Sequence, residues 1–143
     1  MDNDTNKLIG QITIEKWQAI FELIPTIEQT ENFGEFIPNE RISDNFSIYK
    51  GFELSRVVDE FVKRAYDNNL IVSFDWMQWD EGRKIIESET KDFSGFDKNT
   101  LCKLLIAHIR NDRFCDGWLI GRFSDGTILN ILKTLKKEIE STE

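Results

Sequence analysis

The chain has 143 residues and is 40% hydrophobic, with four Trp and eleven Phe, which suffices for one folded core and excludes wholesale disorder. Its 26 acidic and 18 basic residues give a net charge of −8, which disfavours nucleic acid as a partner because Lys and Arg make the contacts to phosphates. His108 is the only histidine, so metal sites that need two imidazoles are excluded.

The amino terminus and the cysteines indicate the compartment. MDNDTNK lacks the basic and apolar regions of a signal peptide, and no apolar run approaches the roughly 18 residues of a membrane span. Cys102 and Cys115 are not arranged as CxxC, so we expect free thiols. The sequence therefore predicts a cytoplasmic protein without a membrane segment.

The first predicted helix lies in ITIEKWQAIFELIPTIEQ, where apolar residues recur at helical spacing. Thr13 is its predicted N-cap. Pro25 disfavours helical geometry at the preceding residue, so the helix should end or kink there. The apolar positions are Ile14, Trp17, Ile20, Phe21 and Ile24.

Residues 29–52 have no sustained period and contain two glycines and a proline. Because a structureless connection of this length is unusual in a compact domain, we expect aromatic side chains to hold it on the body. The segment either contains a short extended pair or forms a lid over a cleft. The predicted anchors are Phe33, Phe36, Phe46 and Tyr49.

ELSRVVDEFVKRAYDNN has the clearest helical pattern, and Asn68 and Asn69 can supply a left-handed stop. LIVSF at 70–74 is too short to distinguish a strand from a buried connector. The apolar stripe of this helix is Leu54, Val57, Val58, Phe61, Val62, Ala65 and Tyr66.

Asp75 is the predicted N-cap of the next helix, with Gln78 in capping-box position. This helix should run through WMQWDEGRKIIES, which places Trp76 and Trp79 on one face. Asp97 is the predicted N-cap of NTLCKLLIAHIR, whose apolar stripe lies beside His108. TILNILKTLKKEIE then forms the last helix.

The predicted fold is mainly α, with about six helices around one core and a short extended pair in 29–52 or at 70–74. We expect one globular domain over residues 1–143, with its core in 8–139. The ends are expected to fray, at 1–7 and 140–143. The residues expected to share the core are Trp17, Phe61, Trp76, Leu104, Leu105 and Leu132.

RFCDG at 113–117 is nearly repeated as RFSDG at 122–126. A spacing of nine residues is too short for a duplicated supersecondary unit, and the flanking sequences differ. Each copy ends in Asp-Gly, a common turn signal. We therefore interpret both copies as helix boundaries.

Three segments together carry a resemblance: FDWMQW at 74–79, RNDRFCDGWL at 110–119 and the GTILNILKTL tail. They resemble an uncharacterised prokaryotic family classed as a domain of unknown function, over roughly residues 50–137. The resemblance implies a Phe-Asp-Trp…Trp segment, an Arg-Phe-x-x-Gly segment, a short helix and a closing amphipathic helix, but no activity. The matching positions are Phe74, Asp75, Trp76, Trp79, Arg113, Phe114 and Gly117.

The first motif has a structural and a functional interpretation. Asp75 is either the helix N-cap or a general acid or base whose pKa the flanking aromatic residues raise. Trp76 and Trp79 either pack in the core or form a stacking platform for a ligand. The structural interpretation is favoured in both cases, because local geometry and helical spacing suffice for it.

The second motif has the same two interpretations. Arg113 could clamp a phosphate or carboxylate, but Asp112 and Asp116 are near it and Arg110 lies one turn back. We therefore predict that the Arg113 guanidinium is held inside the protein by carboxylate or carbonyl acceptors.

Motifs for catalysis are absent. His108 and Cys115 could pair as base and thiol nucleophile only if one helix continued through both, and a break near Asn111 would separate them. There is no Gly-rich phosphate loop, no DxD-type cation loop and no serine elbow. The sequence therefore leans against an enzyme without deciding the question, and it predicts no cofactor and no metal site.

The leading hypothesis is a small acidic binding or regulatory module that acts through a protein partner. The alternative is a small-molecule enzyme or sensor with a cleft between residues 74–76 and 113–117. Nucleic-acid binding is the weakest hypothesis, given the charge. The candidate ligand- or partner-binding residues are Asp75, Trp76, Trp79, Arg110, Arg113 and Asp116.

Overall fold

Eight α-helices make up most of residues 2–141, the part of the chain that the computed structural model describes. Residue 1 and residues 142–143 lie outside it, so the fraying expected at both ends falls partly outside the described residues. None of the helices in 2–141 has the length and apolarity needed to cross a bilayer. The helices are α1 (Asp2–Gly10), α2 (Ile14–Phe21), α3 (Ile24–Gln29), α4 (Arg56–Asp67), α5 (Asp80–Glu87), α6 (Lys98–Asn111), α7 (Trp118–Ser124) and α8 (Thr127–Ser141).

The predicted mainly α fold is confirmed, but the first helix has no counterpart in the sequence pattern. α1 was missed because it is largely polar, although Thr5 and Ile9 are buried. The predicted first helix divides into α2 and α3, since Pro25 stands in the first turn of α3, where its missing N–H removes no helical hydrogen bond. The backbone at Thr13 is extended as expected of an N-cap, but its side chain makes no capping bond.

The core is built around α6, which is buried on all sides from Leu101 to Ile109. α8, α7, α1 and α5 pack against it. Five of the six residues expected in the core are buried, whereas Trp76 is half-buried. The sequence pattern placed Tyr66 on the inner stripe of α4, and this prediction is wrong, since 47% of its surface is exposed.

Asp97 caps α6 as predicted, because its Oδ1 accepts a hydrogen bond of 2.8 Å from the backbone N–H of Thr100. That bond lowers the pKa of the Asp97 carboxyl. The prediction for Asp75 is wrong, since its side chain caps nothing. A single 3₁₀ turn, Trp76–Gln78, follows it, and α5 begins only at Asp80.

The contrast between Asp97, which caps a helix, and Asp75, which does not, has a direct test. Asp97→Ala should lower the free energy of unfolding by about 1 kcal/mol, because the Thr100 N–H loses its acceptor. Asp75→Ala is the matched control and should change it by less than about 0.5 kcal/mol. Urea unfolding of both variants measures the two values, and equal losses would contradict the capping assignment.

Residues 29–54 contain four short strands, so the extended-pair alternative is confirmed. β1 (Gly34–Phe36) pairs antiparallel with β4 (Phe52–Leu54), and β2 (Glu40–Ser43) with β3 (Phe46–Ile48). Residues 70–74 form an irregular connector, with Leu70 and Val72 buried.

Two of the four predicted aromatic anchors hold this segment on the body. Phe33 is buried against Phe123, with ring centroids 5.4 Å apart. Tyr49 is 56% exposed, but its hydroxyl donates a hydrogen bond of 3.0 Å to Asp116, in the turn before α7. Phe36 and Phe46 are 50% and 59% exposed, so the prediction is wrong for them. Backbone pairing between the strands, which no side-chain pattern reveals, also orders the segment.

Both similar pentapeptides mark helix boundaries, as predicted. Gly117 and Gly126 have φ of 82° and 86°, a left-handed conformation that favours glycine, and they directly precede α7 and α8. A Cβ at Gly117 would also lie 2.8 Å from the Phe52 ring, so the first copy packs against β4. The two copies therefore share turn chemistry but differ in their neighbours, since Phe123 of the second copy stacks on Phe33 directly before β1.

Candidate functional site

The two motif segments meet in space and enclose a groove. Trp76 and Phe114 have ring centroids 6.1 Å apart and join the segments directly. The groove has a volume of about 400 Å³ and lies between the 3₁₀ turn with α5 on one side and the end of α6 with the start of α7 on the other. We call it the aromatic groove; its ring-bearing lining residues are Trp76, Trp79, His108, Phe114 and Trp118.

Trp76 and Trp79 do not share a helix face, because the 3₁₀ turn and the start of α5 direct them to different neighbours. The Trp79 ring meets Phe74 edge-on, at a centroid distance of 5.7 Å. The ammonium group of buried Lys103 lies 5.9 and 5.8 Å from these two ring centroids. The first motif thus has a structural function, which is to hold a buried cation that has no ion-pair partner among the described residues.

Trp79 also lies directly against Gly82 in the first turn of α5, where any Cβ would collide with the indole ring. The glycine is therefore required for close approach. This contact fixes the Trp79 side of the aromatic groove.

His108 lies on the floor of the groove and is 3% exposed. Its Nδ1 accepts a hydrogen bond of 3.1 Å from the Trp118 indole N–H. In the neutral ring the proton is therefore on Nε2. Burial, assisted by the nearby Arg122 charge, lowers the pKa of His108 to about 4, so this neutral form persists at neutral pH.

A second, more polar hollow of about 220 Å³ lies on the other side of His108 and contains a small charge network. Lys91 Nζ contacts Asp125 Oδ2 at 3.3 Å and Thr127 Oγ1 at 2.9 Å, and Arg122 Nε lies 3.2 Å from the same Asp125 oxygen. Burial opposes ionisation of Asp125, but hydrogen bonds from Thr127 outweigh it and lower the pKa of the carboxyl. We call this cavity the polar hollow.

The sequence-based site residues divide into two groups. Trp76 and Trp79 line the aromatic groove. The four others line neither it nor the polar hollow: Asp75, Arg110, Arg113 and Asp116.

The prediction that Arg113 is held internally is wrong. Its side chain is exposed and has no hydrogen bond or ion pair within residues 2–141. The acids expected to bind it have other partners: Asp112 accepts from the Leu119 N–H at 2.9 Å, and Asp116 accepts from the Tyr49 hydroxyl at 3.0 Å. The bond to Asp116 raises the pKa of Tyr49.

The sequence reasoning missed the residues that carry most of the polar chemistry: Lys91, Trp118, Arg122 and Asp125. Of the polar residues that line the two cavities, only His108 was identifiable in the sequence, as the single imidazole beside an apolar stripe. It is not a base for Cys115, since α6 ends at Asn111 and the Cys115 thiol is exposed in the following turn. No cluster of three potential metal-ligating side chains occurs in the described part of the chain.

A different surface stands out on the strands. Every residue from 38 to 50 is exposed, so the β2–β3 hairpin projects from the helical body. Ile42, Phe46 and Ile48 are 54%, 59% and 39% exposed on it. Tyr49 at its base contacts Phe36 and Asp116. We call residues 38–50 the projecting hairpin.

Comparison with known proteins gives one match. The model of a family described as a family of unknown function (DUF6508) matches residues 12–141. This range begins after α1 and contains the projecting hairpin and both motif segments. No curated protein and no solved structure matches the chain.

Proposed function

The chain belongs to the family of unknown function DUF6508, which implies no activity. We propose, from the surfaces of the protein itself, that it is a binding or regulatory module that acts through a protein partner. We further propose that it acts in the cytoplasm, which its two free cysteines support. The partner contacts the projecting hairpin.

The exposed apolar side chains of the projecting hairpin carry this proposal. Phe46 and Ile48 alternate along β3 and so lie on one face of it. A contiguous group of large apolar side chains on a protruding element is typical of interaction surfaces and costs free energy while solvated. β2 and β3 pair only with each other, so each has a free edge on which an extended segment of a partner could add.

The charges near the hairpin support a basic partner. Within the hairpin, Arg41 pairs with Asp44 and Lys50 with Glu40, so its own charges balance. In contrast, Glu35 and Glu53 lie directly opposite each other on β1 and β4, and neither has an ion pair among the described residues. Like charges in this position repel each other, and a Lys or Arg of a partner would relieve the repulsion.

The net charge of −8 favours a basic partner for the whole protein, and not only near the hairpin. It should accelerate association with a basic protein at low salt, with the apolar contacts then deciding the dissociation rate.

The experiment is site-specific photo-cross-linking in cells. A benzophenone amino acid replaces Phe46 in the full chain, or Lys137 on α8 as an exposed position on the helical body. We expect a specific protein to be cross-linked from position 46 and not from 137. A second arm adds Ile42→Ser and Ile48→Ser to the probe at 46, with Ser47→Ala as the matched change on the opposite face.

The double variant should lower the cross-linking yield at least about tenfold without changing the melting temperature, because these side chains are exposed and contribute little to the folded core. Ser47→Ala should leave the yield unchanged. Identical products from positions 46 and 137, or a yield insensitive to the double variant, would rule out the hairpin as the partner surface.

A further inference from the structure

The aromatic groove and the polar hollow adjoin each other. Ile86 on α5 and His108 on α6 line both of them. Their volumes of about 400 and 220 Å³ together fall within the roughly 300–1,000 Å³ of small-molecule sites. A ligand that extends from one cavity into the other therefore has to pass the His108 imidazole.

A hydrogen-bond donor is unused at this junction. With Nδ1 bonded to Trp118, the neutral His108 ring presents its proton on Nε2. Across residues 2–141, Nε2 has no hydrogen-bond acceptor, although the residue is 3% exposed. Nε2 is not one of the buried atoms without a partner, so it borders the cavities that His108 lines, and a ligand acceptor could bind it there in place of water.

The polar hollow contains two cations that share a single ion-pair partner. Asp125 is the one carboxylate within ion-pair distance of both Lys91 and Arg122. Arg122 Nε lies close to it but lacks hydrogen-bond geometry, so this buried N–H also has no acceptor. Glu89 lines the hollow too and balances its formal charge, but this exposed carboxylate pairs with neither cation.

Arg122 connects the two cavities, because its guanidinium lies 4.6 Å from the centroid of the Trp118 ring. The other side of the groove is aromatic, and flat rings stack favourably on such side chains. The groove thus offers flat rings beside the exposed charges of Arg83 and Glu87, and the hollow offers two cations that share one carboxylate.

We propose that the aromatic groove and the polar hollow form one binding site for a small, free aromatic anion. Its ring lies in the groove beside Trp76 and Trp118. Its carboxylate or phosphate accepts from His108 Nε2–H and faces Arg122 and Lys91. This site does not depend on the projecting hairpin, so its test and that of the partner surface are independent.

Naphthoate is the probe, with naphthylmethanol as its neutral counterpart and acetate as the anion without the rings. Calorimetry on the full chain gives the affinities, and the nitrogen-15 signals of the Trp indole groups report the location. Arg122→Gln and Lys91→Gln remove the cations. Arg113→Gln is the matched control, because Arg113 is exposed and lines neither cavity.

We expect naphthoate to bind at least about tenfold more tightly than either counterpart and to shift the Trp118 indole signal. Each cation-removing variant should weaken naphthoate binding about tenfold and leave naphthylmethanol unchanged, while Arg113→Gln has no effect. Lys91→Gln decides the result if Arg122→Gln does not fold. Equal affinity for naphthoate and naphthylmethanol, equal losses in Arg113→Gln and Lys91→Gln, or no naphthoate binding in the millimolar range would overturn the proposal.

Discussion

Replacing Phe61 by Ala should lower the free energy of unfolding by about 3–5 kcal/mol, the largest stability loss that we expect from a single substitution in this protein. Phe61 is fully buried, and its ring meets Phe123 edge-on at a centroid distance of 5.2 Å. Phe123 also stacks on Phe33, the buried aromatic anchor of the strand segment. Truncation therefore removes apolar burial and leaves a cavity where α4, α7 and the strands meet.

Urea unfolding of the full chain measures this loss, with Phe46→Ala as the matched control. Phe46 is the same residue type but 59% exposed, so its truncation should change the free energy by less than about 0.5 kcal/mol. Phe61→Leu should recover more than half of the loss, because it refills most of the cavity. A small effect of Phe61→Ala together with a large one of Phe46→Ala would mean that the core is assigned wrongly.

Acid should destabilise the protein through His108. The unfolded chain protonates this residue near pH 6.5, whereas the folded chain protonates it only near pH 4, because burial lowers its pKa. Between these values the unfolded state binds more protons, so stability is complete above pH 6.5 and falls as the pH drops to 4. The shift corresponds to a loss of about 3 kcal/mol.

His108→Asn isolates this contribution, because Asn keeps an acceptor near the Nδ1 position for the Trp118 indole but does not titrate. Carboxylates with lowered pKa, such as Asp97 and Asp125, also destabilise the fold in acid, but both proteins share them. The pH profile of the free energy of unfolding should therefore be steeper in the wild type than in the variant. Parallel profiles would contradict a neutral, buried His108.

Much of the helical framework could be predicted from the sequence. The apolar stripes of α4, α6 and α8 identify their inner faces, because a helix must place residues three and four apart on one side. Asp97 and the two Asp-Gly turns act on neighbouring backbone groups, so local chemistry suffices to identify them. Asp75 has the same local signal, but the aromatic contacts of Trp76 and Trp79 prevent the helix that it would cap.

The site was predictable only in its position. The expected cleft between the two motif segments exists as the aromatic groove, and Trp76 and Trp79 line it. Its polar residues could not be identified, because Lys91, His108 and Arg122 belong to three separate segments that only folding brings together. Arg113 was misassigned because sequence proximity to two acids does not reveal that a helix N-terminus and a tyrosine hydroxyl bind them first.

The sequence by itself determined the helical class, the inner faces of the main helices, the turns at both pentapeptides and the acidic charge. These properties depend on residues within a few positions of each other or on composition alone. Only the tertiary structure decided which side chains remain exposed and which polar atoms lack partners. Ile42 and Phe46 resemble core residues in the sequence, yet they are exposed because β2 and β3 pair only with each other. His108 acquires its unused donor only because Trp118, on another helix, occupies its Nδ1.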